Sequence, residues 1–389
     1  LIMLPLAIYV HIPFCQRKCP YCDFNTYAGR ENQYDAFVQA LSRDIRRTGE
    51  ALGRPHVRTV FVGGGTPTVL DPRHLRAIFH ALHDGFAILP DAEITSEANP
   101  GAVDATRFEV LRELGVNRLS LGVQSFDNAE LRFLGRIHNA EEARAAFHLA
   151  RRAGFENINL DFMFGLPEQS PDRWRRTLQT AIALHPEHLS LYSLTVEPGT
   201  PLDAWVVRGL VSQPDSDLAA DLYDMARDLL ARAGFEHYEI SNWARGPLSR
   251  DLLPRFASRH NLIYWRNEPY LGFGPGAHGW WRGERRAVIA QVKTYIRRVQ
   301  AGRPYWSMEE DIDEPLEMGE TVMLGLRLIR AGVARERFHD RFGVDVTDVW
   351  PEELTDLQSR GLIELTPARV RLTPRAILIA NEVFAAFLP

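Results

Sequence analysis

The sequence predicts an α/β protein: a partial (β/α)6 barrel followed by a smaller, mostly helical domain resembling a winged helix. Three observations predict it. Short β-rich runs alternate with longer amphipathic stretches from residue 7 to about 242. Polar and glycine-rich interruptions fall where those runs end, as in barrels whose working face is the C-terminal mouth of the strands. Beyond about residue 305 the pattern changes to helices and one short hairpin. The 389 residues suffice for two to three domains, and the boundaries read from composition are 1–242, 243–304 and 305–389.

The opening L-I-M-L-P-L-A-I-Y-V-H is apolar, but it is too short for a membrane span, lacks a basic flank and is broken by Pro5 and His11. It reads as a first buried strand over 7–12, with Met3 a candidate start. Further strands are expected at 58–63, 92–97, 118–124, 157–164 and 188–195, with a weak seventh from His237. Between the first two, Tyr34, Phe37, Val38, Leu41 and Ile45 recur at helical steps. Residues 243–304 are irregular and aromatic-rich, with Trp243, Tyr264, Trp265, Trp280 and Trp281; so many large apolar groups exceed what a plain linker carries. The hairpin R-G-L-I-E-L-T-P-A-R-V-R-L-T closes the C-terminal domain. The composition is 45% hydrophobic and 24% charged with a net charge of −5, and no Lys/Arg block argues for a nucleic-acid partner.

The chemistry is concentrated after the first strand. All three cysteines of the chain, Cys15, Cys19 and Cys22, lie there with C-x3-C-x2-C spacing. Three thiolates can each hold one iron of a four-iron cluster and leave the fourth iron open to a small molecule; full protein ligation takes four. A disulfide framework is excluded by the odd count and the length of the chain. Structural zinc, with His11 or Asp23 as fourth ligand, is the alternative from spacing alone. Gly63-Gly64-Gly65-Thr66-Pro67 follows the second strand, Glu97 and Gln124 end the third and fourth, and Asp161 lies in the fifth. A barrel would gather all of them at one mouth.

C-x3-C-x2-C followed by G-G-G-T-P resembles the radical S-adenosylmethionine (SAM) superfamily. Y-V-H-I-P-F-C, S-L-G-V-Q-S-F and D-F-M-F-G-L-P-E-Q narrow the likeness to the branch of oxygen-independent coproporphyrinogen III oxidase and the heme chaperone HemW family. The resemblance implies a [4Fe–4S] cluster on Cys15, Cys19 and Cys22, with SAM on the open iron. It implies that Gly64, Gly65 and Thr66 let SAM approach the backbone, and that Tyr9, Tyr21, Glu97, Gln124, Arg136 and Asp161 contact one or two SAM molecules. Two features separate the branches. Oxidases of this branch carry a further cysteine two residues after the third, where this chain has Phe24. His260 to Trp265 match the H-N-x-x-Y-W motif of the heme-binding relatives, which makes His260 the candidate axial ligand of heme; His278 is a second candidate. The resemblance therefore favours a cytoplasmic chaperone that binds heme and transfers it to an acceptor protein. Coproporphyrinogen III oxidation by radical chemistry is the alternative. A flavodoxin or ferredoxin electron donor and a homodimer are further implications.

Overall fold

A computed structural model describes residues 6–388, so Met3 and Pro5 lie outside the described residues. The chain divides into two compact units, Leu1–Ala226 with Pro269–Glu310, and Arg227–Glu268 with Asp311–Pro389.

The first unit is built on parallel strands β1 (Leu6–Ile12), β2 (His56–Gly64), β3 (Ala87–Ala98), β4 (Arg118–Gln124), β5 (Ile158–Phe164) and β6 (His188–Ser193). They lie side by side in sequence order, each parallel to the next. This is the expected partial barrel, with most strand bounds within a few residues of those read from the sequence. β3 is the exception and starts five residues early, at Ala87 rather than at 92, with Pro90 and Asp91 exposed within it. The helices Tyr34–Ala51, Pro72–Gly85, Ala105–Glu113, Ala140–Arg152 and Pro171–Ala183 connect the strands. Each buries one stripe; in the first, Phe37, Val38, Leu41 and Ile45 are all buried. Starts are well signalled: Asn139 and Glu142 form a reciprocal capping box, and Ser170 caps a helix that begins with Pro171.

β1 and β5 are buried along almost their whole length, as expected of parallel strands covered on both faces. The single less buried position in β1 is Tyr9, and in β5 it is Asp161. The same holds for Glu97 within the buried stretch that ends β3. The three lie within electrostatic reach of one another, Tyr9 of Glu97 and Glu97 of Asp161.

The structure departs from the sequence-drawn boundaries between 243 and 310. Pro269–Glu310 is part of the first unit rather than a connecting segment. Its strand Tyr270–Phe273 pairs parallel with β1, and the strands His278–Trp281, Glu284–Val288 and Trp306–Asp311 continue the sheet outward. Residues 227–268, which include the H-N-x-x-Y-W motif, fall in the second unit. There the hairpin strands Glu236–Glu239 and Asn242–Ala244 pair antiparallel, the first being the expected weak strand at His237. The remainder of that unit has the expected winged-helix arrangement: helices Glu314–Gly325, Arg335–Phe342 and Pro351–Ser359, then Ile363–Leu365 and Arg369–Leu372 in a hairpin completed by Val333–Ala334. Val322, Leu326, Phe338, Leu354, Leu357 and Val370 are among its core.

Candidate functional site

The loop leaving β1 carries the three cysteines and is held by its own backbone. Cys15 N–H donates to the Tyr27 carbonyl at 3.0 Å, and Tyr27 N–H to the Pro13 carbonyl at 2.8 Å. The loop after β2 is laced to the same turn, with Gly65 N–H on the Ile12 carbonyl at 2.8 Å and Thr66 N–H on the Phe14 carbonyl at 2.7 Å. Thr66 Oγ1 then points at Cys15 Sγ, 3.6 Å away. Asn25 fastens the loop to the Pro269–Glu310 segment: its Nδ2 donates to the carbonyls of Pro275 at 2.8 Å and Ala290 at 3.0 Å.

The glycines after β2 have an internal reason as well. Gly64 has φ +104, and a Cβ there would lie 2.5 Å from the His11 ring; one on Gly65 would lie 2.4 Å from the Phe14 carbonyl oxygen. Packing of the two loops against each other already demands glycine at both positions.

His11 bears on the zinc alternative. Its Nε2 is 3.0 Å from the Asn25 carbonyl, which can only accept, so Nε2 carries the proton and Nδ1 accepts from Tyr9 OH at 2.9 Å. Burial lowers the pKa of His11 and keeps the ring neutral, outweighing the carbonyl bond. With both nitrogens engaged, His11 offers no ligand atom. Among the described residues, no three Cys, His, Asp or Glu side chains are gathered closely enough to hold a single ion. Three free thiols on one loop, none in a disulfide, match the three-cysteine ligand set of a four-iron cluster.

Below the loop, the lumen gathers acidic groups. Glu97 Oε2 accepts from Gly64 N–H at 3.0 Å. Its pKa is pushed up to about 8, first by burial and then by the Asp161 carboxylate. Burial also raises Asp161, which accepts from Ser120 Oγ at 2.9 Å and Asn159 Nδ2 at 2.8 Å. Tyr9 is held well above its ordinary range by burial and by Glu97. Two carboxylates close together and poorly solvated favour a ligand that brings hydrogen-bond donors or positive charge.

Gln124 ends β4 with φ +68, a left-handed conformation that costs a side-chain-bearing residue roughly 1–3 kcal/mol. Arg136 lies across the mouth with Nη2 on the Gly122 carbonyl at 2.7 Å and Nη1 3.4 Å from Cys19 Sγ. Tyr21 packs beside Leu134, Met163 and Leu202, and burial raises its pKa.

The structure thus brings Cys15, Cys19, Cys22, Tyr9, Tyr21, Gly64, Gly65, Thr66, Glu97, Gln124, Arg136 and Asp161 to the mouth of the first unit. His260 lies in the second unit, on the helix Arg259–Trp265 capped by Ser258. It is 1% exposed, with Nε2 2.8 Å from Tyr264 OH. His278, by contrast, is exposed on its strand in the first unit.

Sequence reasoning missed the polar layer under the carboxylates. Asn159 Oδ1 takes hydrogen bonds from Ser190 Oγ at 3.1 Å and His188 Nδ1 at 2.6 Å, and the buried Arg118 sets its charge toward Glu97, Asp161 and His188. The signal was present as polar residues two apart on buried strands: Arg118 and Ser120, Asn159 and Asp161, His188 and Ser190.

Comparison with known proteins agrees with this geometry. The chain matches the radical SAM superfamily over residues 9–181 and the HemN C-terminal domain over residues 312–379. It is 39% identical over 384 residues to the heme chaperone HemW of Bacillus subtilis (strain 168), covering 98% of this chain and 99% of that protein. It is 38% identical over 387 residues to the heme chaperone HemW of Escherichia coli (strain K12), covering 99% and 98%. The solved structure of coproporphyrinogen III oxidase (HemN) from Escherichia coli, a radical SAM enzyme, superposes with a TM-score of 0.85 at 23% identity, covering 99% of this chain and 90% of that one. This last likeness establishes the fold.

Proposed function

The chain belongs to the heme chaperone HemW family of radical SAM proteins, and from that premise we propose that it binds heme and passes it to an acceptor protein. In this reading Cys15, Cys19 and Cys22 hold a [4Fe–4S] cluster and the lumen holds SAM. Such a cluster, when bound and reduced, supplies an electron to SAM. The chain's own residues do the rest. Gly64 N–H fixes the Glu97 carboxylate, Ser120 and Asn159 orient Asp161, and the loop bonded to Pro275 and Ala290 keeps the thiols in place.

The observation that carries the chaperone reading is Phe24. Where oxidases of the branch have a further thiol, this chain has a phenyl ring that is 63% exposed. It cannot ligate metal, and it presents apolar surface beside the cysteine loop. The H-N-L-I-Y-W motif supports the same reading, with His260 as the proposed heme ligand. Ligation by Nε2 requires Tyr264 OH to yield its hydrogen bond, so Tyr264→Phe is expected to strengthen heme binding. Among the described residues no helix is long and apolar enough to cross a membrane, and a cytoplasmic site of action is part of the proposal. So are a reduced flavodoxin or ferredoxin as electron donor and a homodimer as the assembly.

Anaerobic reconstitution followed by heme titration tests the reading. The wild type is expected to shift the Soret band, and His260→Ala to bind at least tenfold more weakly. No Soret shift in cluster-loaded wild type overturns the proposal. Formation of protoporphyrinogen from coproporphyrinogen III by the same preparation decides for the oxidase.

A further inference from the structure

Arg136 has a role at the cluster ligands that its match to a SAM-contacting position does not describe. It follows the short helix Asn128–Phe133 and lies against the cysteine loop, where Gly135 packs on Pro20. The guanidinium is committed on two sides: Nη2 donates to the Gly122 carbonyl at 2.7 Å and Nη1 points at Cys19 Sγ at 3.4 Å. Its Nε is buried and has no hydrogen-bond partner. These contacts use two of the five guanidinium N–H donors, so the bond to Cys19 is compatible with a SAM contact through the others.

We propose that Arg136 is a positioning residue that donates a charge-assisted hydrogen bond to the Cys19 thiolate and thereby raises the reduction potential of the cluster. The Gly122 carbonyl fixes the planar group, so the N–H and the positive charge meet the sulfur in one orientation. Reduction adds negative charge to the cluster and its thiolates, and a nearby cation with a hydrogen bond to sulfur favours the reduced form. Thr66 Oγ1, 3.6 Å from Cys15 Sγ, contributes the same kind of contact without the charge.

This inference rests on the cluster reading above, and the test separates the two. Wild type, Arg136→Gln and Arg136→Lys are reconstituted anaerobically, assayed for iron and sulfide, and titrated potentiometrically with detection of the reduced cluster by electron paramagnetic resonance. SAM is left out, so a SAM contact cannot move the result. Arg136→Gln is expected to lower the ratio of reduced to oxidised cluster at a fixed potential about tenfold, equivalent to about 59 mV for a one-electron couple. Arg136→Lys, which keeps the charge and loses the planar fork, is expected to shift in the same direction by less. Cluster-loaded variants that both titrate at the wild-type potential overturn the inference and leave the cluster reading intact. Loss of the cluster from both variants, with the fold intact by circular dichroism, also overturns it and makes Arg136 a structural support. Wild type without iron and sulfide overturns both readings.

Discussion

Glu97 shows how a single buried side chain sets a measurable property. Its pKa is raised from 4.5 to about 8, so the folded chain binds that proton more tightly than the unfolded chain. The resulting stabilisation is fully present below about pH 4.5 and is lost as the pH rises toward about 8. Urea unfolding of the ligand-free protein is expected to show stability falling across that window, and Glu97→Gln, neutral throughout, to flatten the slope. Asp44 makes a second case away from the site. It is buried, with its pKa raised to about 6 by burial, and accepts hydrogen bonds from Tyr295 and Tyr305. Asp44→Ala removes the acceptor of both hydroxyls, and with the buried Tyr295 hydroxyl orphaned it is expected to cost about 1–3 kcal/mol of unfolding free energy. The two acids differ in how far the sequence discloses them. Glu97 stands out as the carboxylate that closes the strand expected at 92–97, just where the working mouth begins. Asp44 sits on a helix whose polar face looks solvated, and only the return of a tyrosine pair some 250 residues later buries it.

At the scale of elements, β1 to β6 were legible because parallel strands covered on both faces read as apolar runs broken by turns. The segment after 268 was not. Tyr270–Phe273 is four residues long and mixed in character, and its pairing with β1 depends on a partner at the other end of the chain. No local pattern encodes such a register. The segment matters because the strap from Asn25 to Pro275 and Ala290, together with Tyr27 OH on the Ala290 carbonyl at 3.2 Å, holds the cysteine loop against it. Asn25→Ala removes two of those bonds. It is expected to lower stability by about 1–3 kcal/mol and, more tellingly, to shorten the lifetime of the reconstituted cluster toward a chelator, followed by bleaching of its visible absorbance. Wild-type bleaching kinetics in that variant would remove the strap from the account.

At the scale of the whole molecule, the chain passes between its two units at three places, and a linear reading cannot see that each unit is discontinuous. Composition placed a boundary near 304 because helices begin there, yet the second unit is completed by residues from 227–268. Tyr238, Ala244, Leu253, Ala257 and Leu262 form one buried cluster with Leu328 and Ala331. Glu239, fully buried, takes the Arg327 guanidinium at 2.6 Å and the Asn242 amide. The family match to the C-terminal domain, which starts at residue 312, omits this contribution. A fragment of residues 305–389 would expose Leu328 and strip Arg327 of its buried partner. Loss of the Leu328 burial alone removes roughly 1.5–3 kcal/mol, a large share of what holds a domain of that size together. The fragment is therefore expected to unfold at a lower urea concentration than one in which 227–268 is fused ahead of 311–389, with circular dichroism as the readout. Equal midpoints for the two fragments would show that the C-terminal helices and hairpin form a self-sufficient core.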